Sequence, residues 1–228
     1  MKWMMVFPLL LALSCKGNME AAPTLKVKDP EPVMGGPTHI KMVFSDFPQS
    51  GFARIIGFYS DQNYLLDSTA VTNGKLEYVN PKGLAQGIYY IMITGRKEFV
   101  QIIMGEDQEY EMELALADPL STMKINGSLE NELFYENMRF ESFTIGPRLN
   151  ELNAQLKNGN SGTEAYNTLK KERDALENQR LKAIFDLKAK HPTLLFANYK
   201  YGGQNPKLKE ELPKELQVVQ YRKEFWDN

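Results

Sequence analysis

Cysteine is almost missing from this chain: Cys15 is the one copy in 228 residues. No disulfide can close within it, and no Cys-x-x-Cys pair exists to exchange one. Histidine is nearly as scarce. His39 and His191 lie far apart in sequence, so no pattern of clustered imidazole or thiolate metal ligands can be read. Gly83 to Gly87 lacks the spacing of a phosphate loop, and no nucleophile elbow occurs. An excess of charge is missing too. The formal net charge is −2. Residues 16–125 carry 10 Lys+Arg against 14 Asp+Glu, and residues 126–228 carry 16 against 15. Neither half has the field that nucleic acid requires. Carboxylates are plentiful, but their spacing selects no acid–base pair. Glu109, Glu111 and Glu113 fall on one side of an alternating strand, a solvated face rather than a calcium loop. No catalytic residue, cofactor or metal site is expected.

Long apolar runs are absent apart from Trp3–Leu13, which spans 11 residues and is interrupted by Pro8. A bilayer crossing takes about 20 residues, so this run fits the core of a signal peptide behind the basic start Met1-Lys2. Ser14-Cys15 closes it. Residues 1–14 resemble a bacterial lipoprotein signal, with Cys15 acylated as the mature N-terminus. Ala12 and Leu13 stand in the reverse of the commoner order. The plainer alternative is a secretory signal with an incidental cysteine. The lipoprotein reading implies a lipid anchor at Cys15 and a bacterial envelope location facing the periplasm. Residues 15–37, with Pro23, Pro30, Pro32 and Pro37, read as an extended tether.

What is present is a change of period. From 38 to 125 apolar residues recur every second position, most cleanly at Tyr110, Met112, Leu114 and Leu116 between glutamates. Asn73-Gly74 marks a tight hairpin. Gly87–Thr94 is apolar on both faces, which reads as a central strand. Leu120–Ile125 reads as the closing strand. About eight short strands without an intervening helix predict an antiparallel sandwich or open barrel, and we take a β-sandwich.

After Asn126-Gly127 the period lengthens. Ser128 is placed to cap a helix, with Glu130 and Glu132 at its positive end. Leu129 to Leu156 carries a helical stripe, broken at Gly146-Pro147 because Pro147 offers no N–H to Phe143. Ser161 with Glu164 reads as a capping box for a second helix running to about Lys190, with His191-Pro192 ending it. These two helices should form a long antiparallel pair. Shorter helical pieces follow at Thr193–Tyr201 and Pro213–Trp226. Tyr199-Lys200-Tyr201 reads as core packing ahead of an aromatic contact surface. The fold class is therefore α+β: a β-sandwich at 38–125 and a helical region at 126–228.

A lipobox-like Cys15, a β-rich half, the junction Ile125-Asn126-Gly127-Ser128-Leu129-Glu130-Asn131 and a helical pair ending at His191-Pro192 resemble one known arrangement. It is the N-terminal region of bacterial envelope lipoproteins of the thioredoxin-like thiol-disulfide interchange family. There a domain of unknown function, a β-sandwich followed by helices, precedes a thioredoxin domain. Tyr221–Asn228 resembles the helix leading toward that second domain. The likeness spans nearly the whole chain on short structural motifs. The family reacts through a Cys-x-x-Cys pair in the thioredoxin domain, and this chain has none, so no catalytic residue carries over. The resemblance implies a non-catalytic accessory module whose partner is a thioredoxin-fold protein or a missing C-terminal domain. The alternative is a stand-alone envelope lipoprotein that binds a ligand or a protein.

Overall fold

Strict alternation dictates the first element of the core. In Glu109–Leu114 the glutamates face solvent, while Tyr110, Met112 and Leu114 are buried. The same period of two builds eight strands among the described residues of this computed structural model, which are 32–59, 62–204, 209 and 212–226. They are β1 (Thr38–Phe44), β2 (Gly51–Tyr59), β3 (Gln62–Thr72), β4 (Lys75–Asn80), β5 (Gly87–Ile93), β6 (Phe99–Met104), β7 (Glu109–Leu114) and β8 (Lys124–Asn126). The expected signal peptide, Cys15 and the tether as far as residue 31 lie outside the described residues.

All eight strands are hydrogen-bonded into one sheet, in the order β6-β5-β2-β3-β4-β1-β7-β8. This differs from the expected sandwich of two separate sheets. The all-antiparallel expectation is also corrected, because β1 and β7 run parallel, with Ile40 opposite Tyr110 and Met42 opposite Met112. Alternation tells which face a residue takes and is blind to strand direction, so the sequence carried no sign of this pairing. The backbone ladder between β3 and β4 pairs only Val71–Leu76 and Thr72–Lys75, beside the Asn73-Gly74 turn, and Thr69 adds a hydroxyl bond to Glu77 O at 3.1 Å.

Helix α1 (Pro119–Thr122) replaces the first part of the expected closing strand. Asp118 caps it, accepting from the Ser121 N–H at 3.2 Å, and Pro119 takes the first helical turn. β8 is what remains of that strand. Helix α2 (Leu129–Arg139) follows and touches both β6 and β8, the two ends of the sheet order. The sheet therefore curls into a half-barrel, with α2 at the gap between its edges. Phe134 and Tyr135 of α2 join the core that Ile40, Met42, Ile55, Ile91 and Ile102 form on the inner face.

The helical stripe breaks one turn earlier than Pro147. Residues Phe140–Ile145 form a π-helical turn, in which the N–H of Gly146 reaches back to Glu141 O. Helix α3 (Gly146–Asn158) then begins with Pro147 in its first turn. The expected first arm of a long pair is thus α2, a π turn and α3; α3 packs on α4 (Glu164–Lys190), and the π turn touches it through Glu141 and Arg180. Thr163, not Ser161, caps α4: its hydroxyl accepts from the Tyr166 N–H at 3.2 Å. Ile184 alone is fully buried along this helix, and Arg173 and Arg180 on its packed side are half-exposed. α5 (Leu195–Gly202) returns to the core through Phe196, and α6 (Lys214–Trp226) ends the described chain. Among the described residues no helix is long and apolar enough to cross a membrane.

Candidate functional site

The junction that carries the family resemblance holds the fold together. Gly127 turns the chain with φ +91°, and a Cβ there would lie 3.2 Å from Glu109 O. Ser128 Oγ accepts from the Asn131 N–H at 3.3 Å and caps α2, as read from sequence. Asn131, fully buried, turns its amide onto the open edge of β6. Its Oδ1 accepts from Ile103 N–H and its Nδ2 donates to Ile103 O, both at 2.8 Å. It pairs with that strand as another backbone would. Glu130 is 7% exposed. Its Oε1 accepts from the Phe196 N–H at 2.6 Å, at the start of a helix whose own N-cap, Leu194, makes no side-chain bond. Its other oxygen lies where a side chain on Gly105 would have to go. Burial raises the Glu130 carboxyl above its ordinary pKa, against the pull of the Phe196 and Leu195 N–H groups.

Gln108 repeats the device on the other side of Gly105. Its Oε1 accepts from Thr38 Oγ1 at 2.5 Å and Leu84 N–H at 3.0 Å, and its Nε2 donates to the carbonyls of Leu84 and Gly105. Among the described residues no buried side-chain polar atom lacks a partner. Of the buried polar side chains, Gln108, Ser128, Glu130 and Asn131 bond backbone and Thr38 bonds Gln108.

The outer face of the sheet divides into two unlike halves. On β4, β1, β7 and β8 it is charged. Lys41 pairs with Glu111 and Lys124 with Glu113, each at 3.1 Å, while His39 Nε2 lies 2.7 Å from Glu77 and its Nδ1 3.9 Å from Glu109. Lys41, Glu77, Glu111, Glu113 and Lys124, with Thr69, Ala70 and Thr72 of β3, line a trough of about 840 Å³. On β6, β5, β2 and β3 the outer face is apolar. Phe52, Phe58, Leu65 and Phe99 stand 62, 45, 62 and 50% exposed. Tyr90 and Met92 lie half-buried among them, and Tyr90 meets Phe99 edge to face at 5.1 Å.

The sequence candidates distribute as follows. Cys15, the lipidation residue, lies outside the described residues. His191 closes α4, its backbone N–H bonded to Leu187 O. Glu109, Glu111 and Glu113 are exposed, as alternation required, and among the described residues no group of three or more His, Cys, Asp or Glu side chains is placed to hold a metal ion. Tyr199-Lys200-Tyr201 is divided: Tyr201 meets Phe185 edge to face, Lys200 reaches Glu141 of the π turn at 3.3 Å, and Tyr199 is exposed. The apolar outer half is the feature that the sequence reading missed. Its signal was present in Gly87–Thr94, apolar on both faces and read as a central strand. β5 is one strand from the edge, and its outer residues are only half-buried.

Compared with known proteins, the chain matched no family model, no curated protein and no solved structure.

Proposed function

We propose that this chain is a non-catalytic, lipid-anchored module of the bacterial envelope that serves a thioredoxin-like thiol-disulfide oxidoreductase system by binding. The observation that carries a binding role over a reaction is the division of labour just described. The buried polar side chains Gln108, Ser128, Glu130 and Asn131 hold backbone and Thr38 holds Gln108, and the outer face of the sheet is open. The redox half of the system is supplied by a thioredoxin-fold partner or by a further domain. Two details support the finer fold that the family resemblance implies. β3 and β4 share only two residue pairs, which suits two four-stranded leaves hinged at a corner. Arg148 near the start of α3 reaches Glu172 through two bonds, at 2.7 and 2.9 Å, which suits an antiparallel α3–α4 pair.

The test is a titration of the mature chain, carrying Cys15→Ser, against a Cys-x-x-Cys thioredoxin-fold domain from the same envelope. Saturable binding without reduction of insulin by the chain alone is the expected result. Absence of binding, with saturable binding of a different envelope protein in the charged trough, moves the function to the stand-alone binding lipoprotein. Insulin reduction by the chain alone overturns both.

A further inference from the structure

We infer that the apolar half of the outer face, on β6, β5, β2 and β3, rests on the anionic phospholipid surface of the membrane. The inference deepens the lipid-anchored reading and rests on it. Strand register places the residues on one side: Ile56 stands opposite Tyr90 and Leu65, and Met92 stands opposite Phe99. A contiguous exposed patch of this kind on a soluble domain marks a surface that something covers.

Area argues against a second copy. β2, β3, β5 and β6 hold 9, 11, 7 and 6 residues, so at about 3.3 Å per residue and about 4.8 Å between strands they make a face of roughly 500 Å². A stable protein interface takes about 800 Å² from each partner. Charge argues for anionic lipid. Arg54 stands opposite Met92 within the patch, and Arg96 and Lys97 occupy the turn that leads into Phe99. The carboxylates near them are Glu98, 3.1 Å from Arg96, and Asp46, whose carboxyl feels the Arg96 charge, so three cations meet two acids. The other half of the outer face instead matches lysines with glutamates. Aromatic rings flanked by long cationic side chains suit the headgroup region, where the rings enter the acyl boundary and the cations meet phosphate. The face need not bind tightly. Residues 15–31 number 17 and reach at most about 60 Å, so an anchored chain holds its patch at high effective concentration near the bilayer.

The experiment uses the mature chain with Cys15→Ser, so that no acyl chain contributes, and sediments it with vesicles. One set is equal parts phosphatidylglycerol and phosphatidylcholine; the other is phosphatidylcholine alone. Preferential binding to the anionic set, weakening with salt, is the expected result. Arg54→Gln with Lys97→Gln should lower that binding roughly tenfold or more, and Phe52→Ser with Phe99→Ser should abolish it. The charge pair leaves the apolar residues in place, so it remains decisive if the serine pair unfolds. Equal sedimentation of parent and charge variant, or none from the parent, overturns the inference. So does a dimer in free solution that Phe52→Ser dissociates, because the second copy would then be the occupant. Failure of the anchor reading shows separately, as a Cys15 that carries no acyl mass in the intact protein purified from cells.

Discussion

Asn131 stands where α2 meets the edge of β6, and its amide replaces a strand. An edge strand exposes unpaired N–H and C=O groups that invite pairing with another chain. Asn131 satisfies both groups of Ile103, and Tyr135 donates its hydroxyl to Gln101 O at 3.0 Å one step along the same edge. Asn131→Leu is expected to leave two buried backbone groups unpaired, at about 1–3 kcal/mol each, measured by urea unfolding. Ser128→Ala removes only the cap and should cost about 0.5–2 kcal/mol; an unchanged melt would place the start of the helix elsewhere. Ser128 was legible in the sequence because its bond spans three residues. The roles of Glu130 and Asn131 were not, because their partners lie 66 and 28 residues away. Two carboxyls should show opposite pH behaviour. Burial raises the Glu130 pKa in the folded state. Its contribution is therefore fully present below the ordinary carboxylate pKa of about 4.3 and is lost as pH rises through the raised value. Relative to Glu130→Gln, the parent should lose stability over that rise. For Asp46, desolvation opposes ionisation, but the N–H groups of Ala117 and Leu116, at 2.9 and 2.7 Å, and the charge of Arg96 prevail and hold its pKa low. Its contribution is present above about 3.9 and is lost as pH falls through the lowered value, so Asp46→Asn should flatten the acid limb.

At the scale of elements, the β2–β3–β4 region turns on one hairpin. Asn73 and Gly74 both take positive φ, +50° and +74°, the pair of angles that a tight two-residue turn demands. A Cβ on Gly74 would lie 2.5 Å from Phe47 O and 2.9 Å from Phe44 O. Gly74→Ala therefore combines a left-handed penalty of about 1–2 kcal/mol with a backbone clash. Because β3 and β4 are paired only beside this turn, loss of amide-exchange protection should begin at Val71–Leu76. Intact protection there in the alanine variant would contradict the assignment. The hairpin was legible because its chemistry is local, and so were the strands, through their period of two. The parallel β1–β7 pair and the closure by α2 were illegible, because both are choices among partners remote in sequence. The helical break was legible as a break, from Pro147. Its form was not, since a proline signals a break without choosing between a kink and a π turn, in which Gly146 N–H reaches Glu141 O.

For the whole molecule, the decisive question is whether the chain can do redox chemistry unaided. Disulfide exchange needs a thiolate and, for release of the mixed disulfide, a second thiol close by. Cys15 is the one cysteine in the sequence, and acylation would convert it to a thioether without a nucleophilic sulfur. The mature protein is then expected to reduce insulin disulfides no faster than dithiothreitol alone, and the Cys15→Ser form should behave identically. The two forms together make the measurement informative. Activity in the parent alone would mean that Cys15 is a free working thiol, which removes the anchor along with the accessory role. Activity in both would require chemistry without sulfur nucleophiles and would overturn the accessory role. A blank result in both, alongside recovery of activity when a Cys-x-x-Cys domain is supplied and bound, is the outcome that makes this chain the module which positions another protein's chemistry at the membrane.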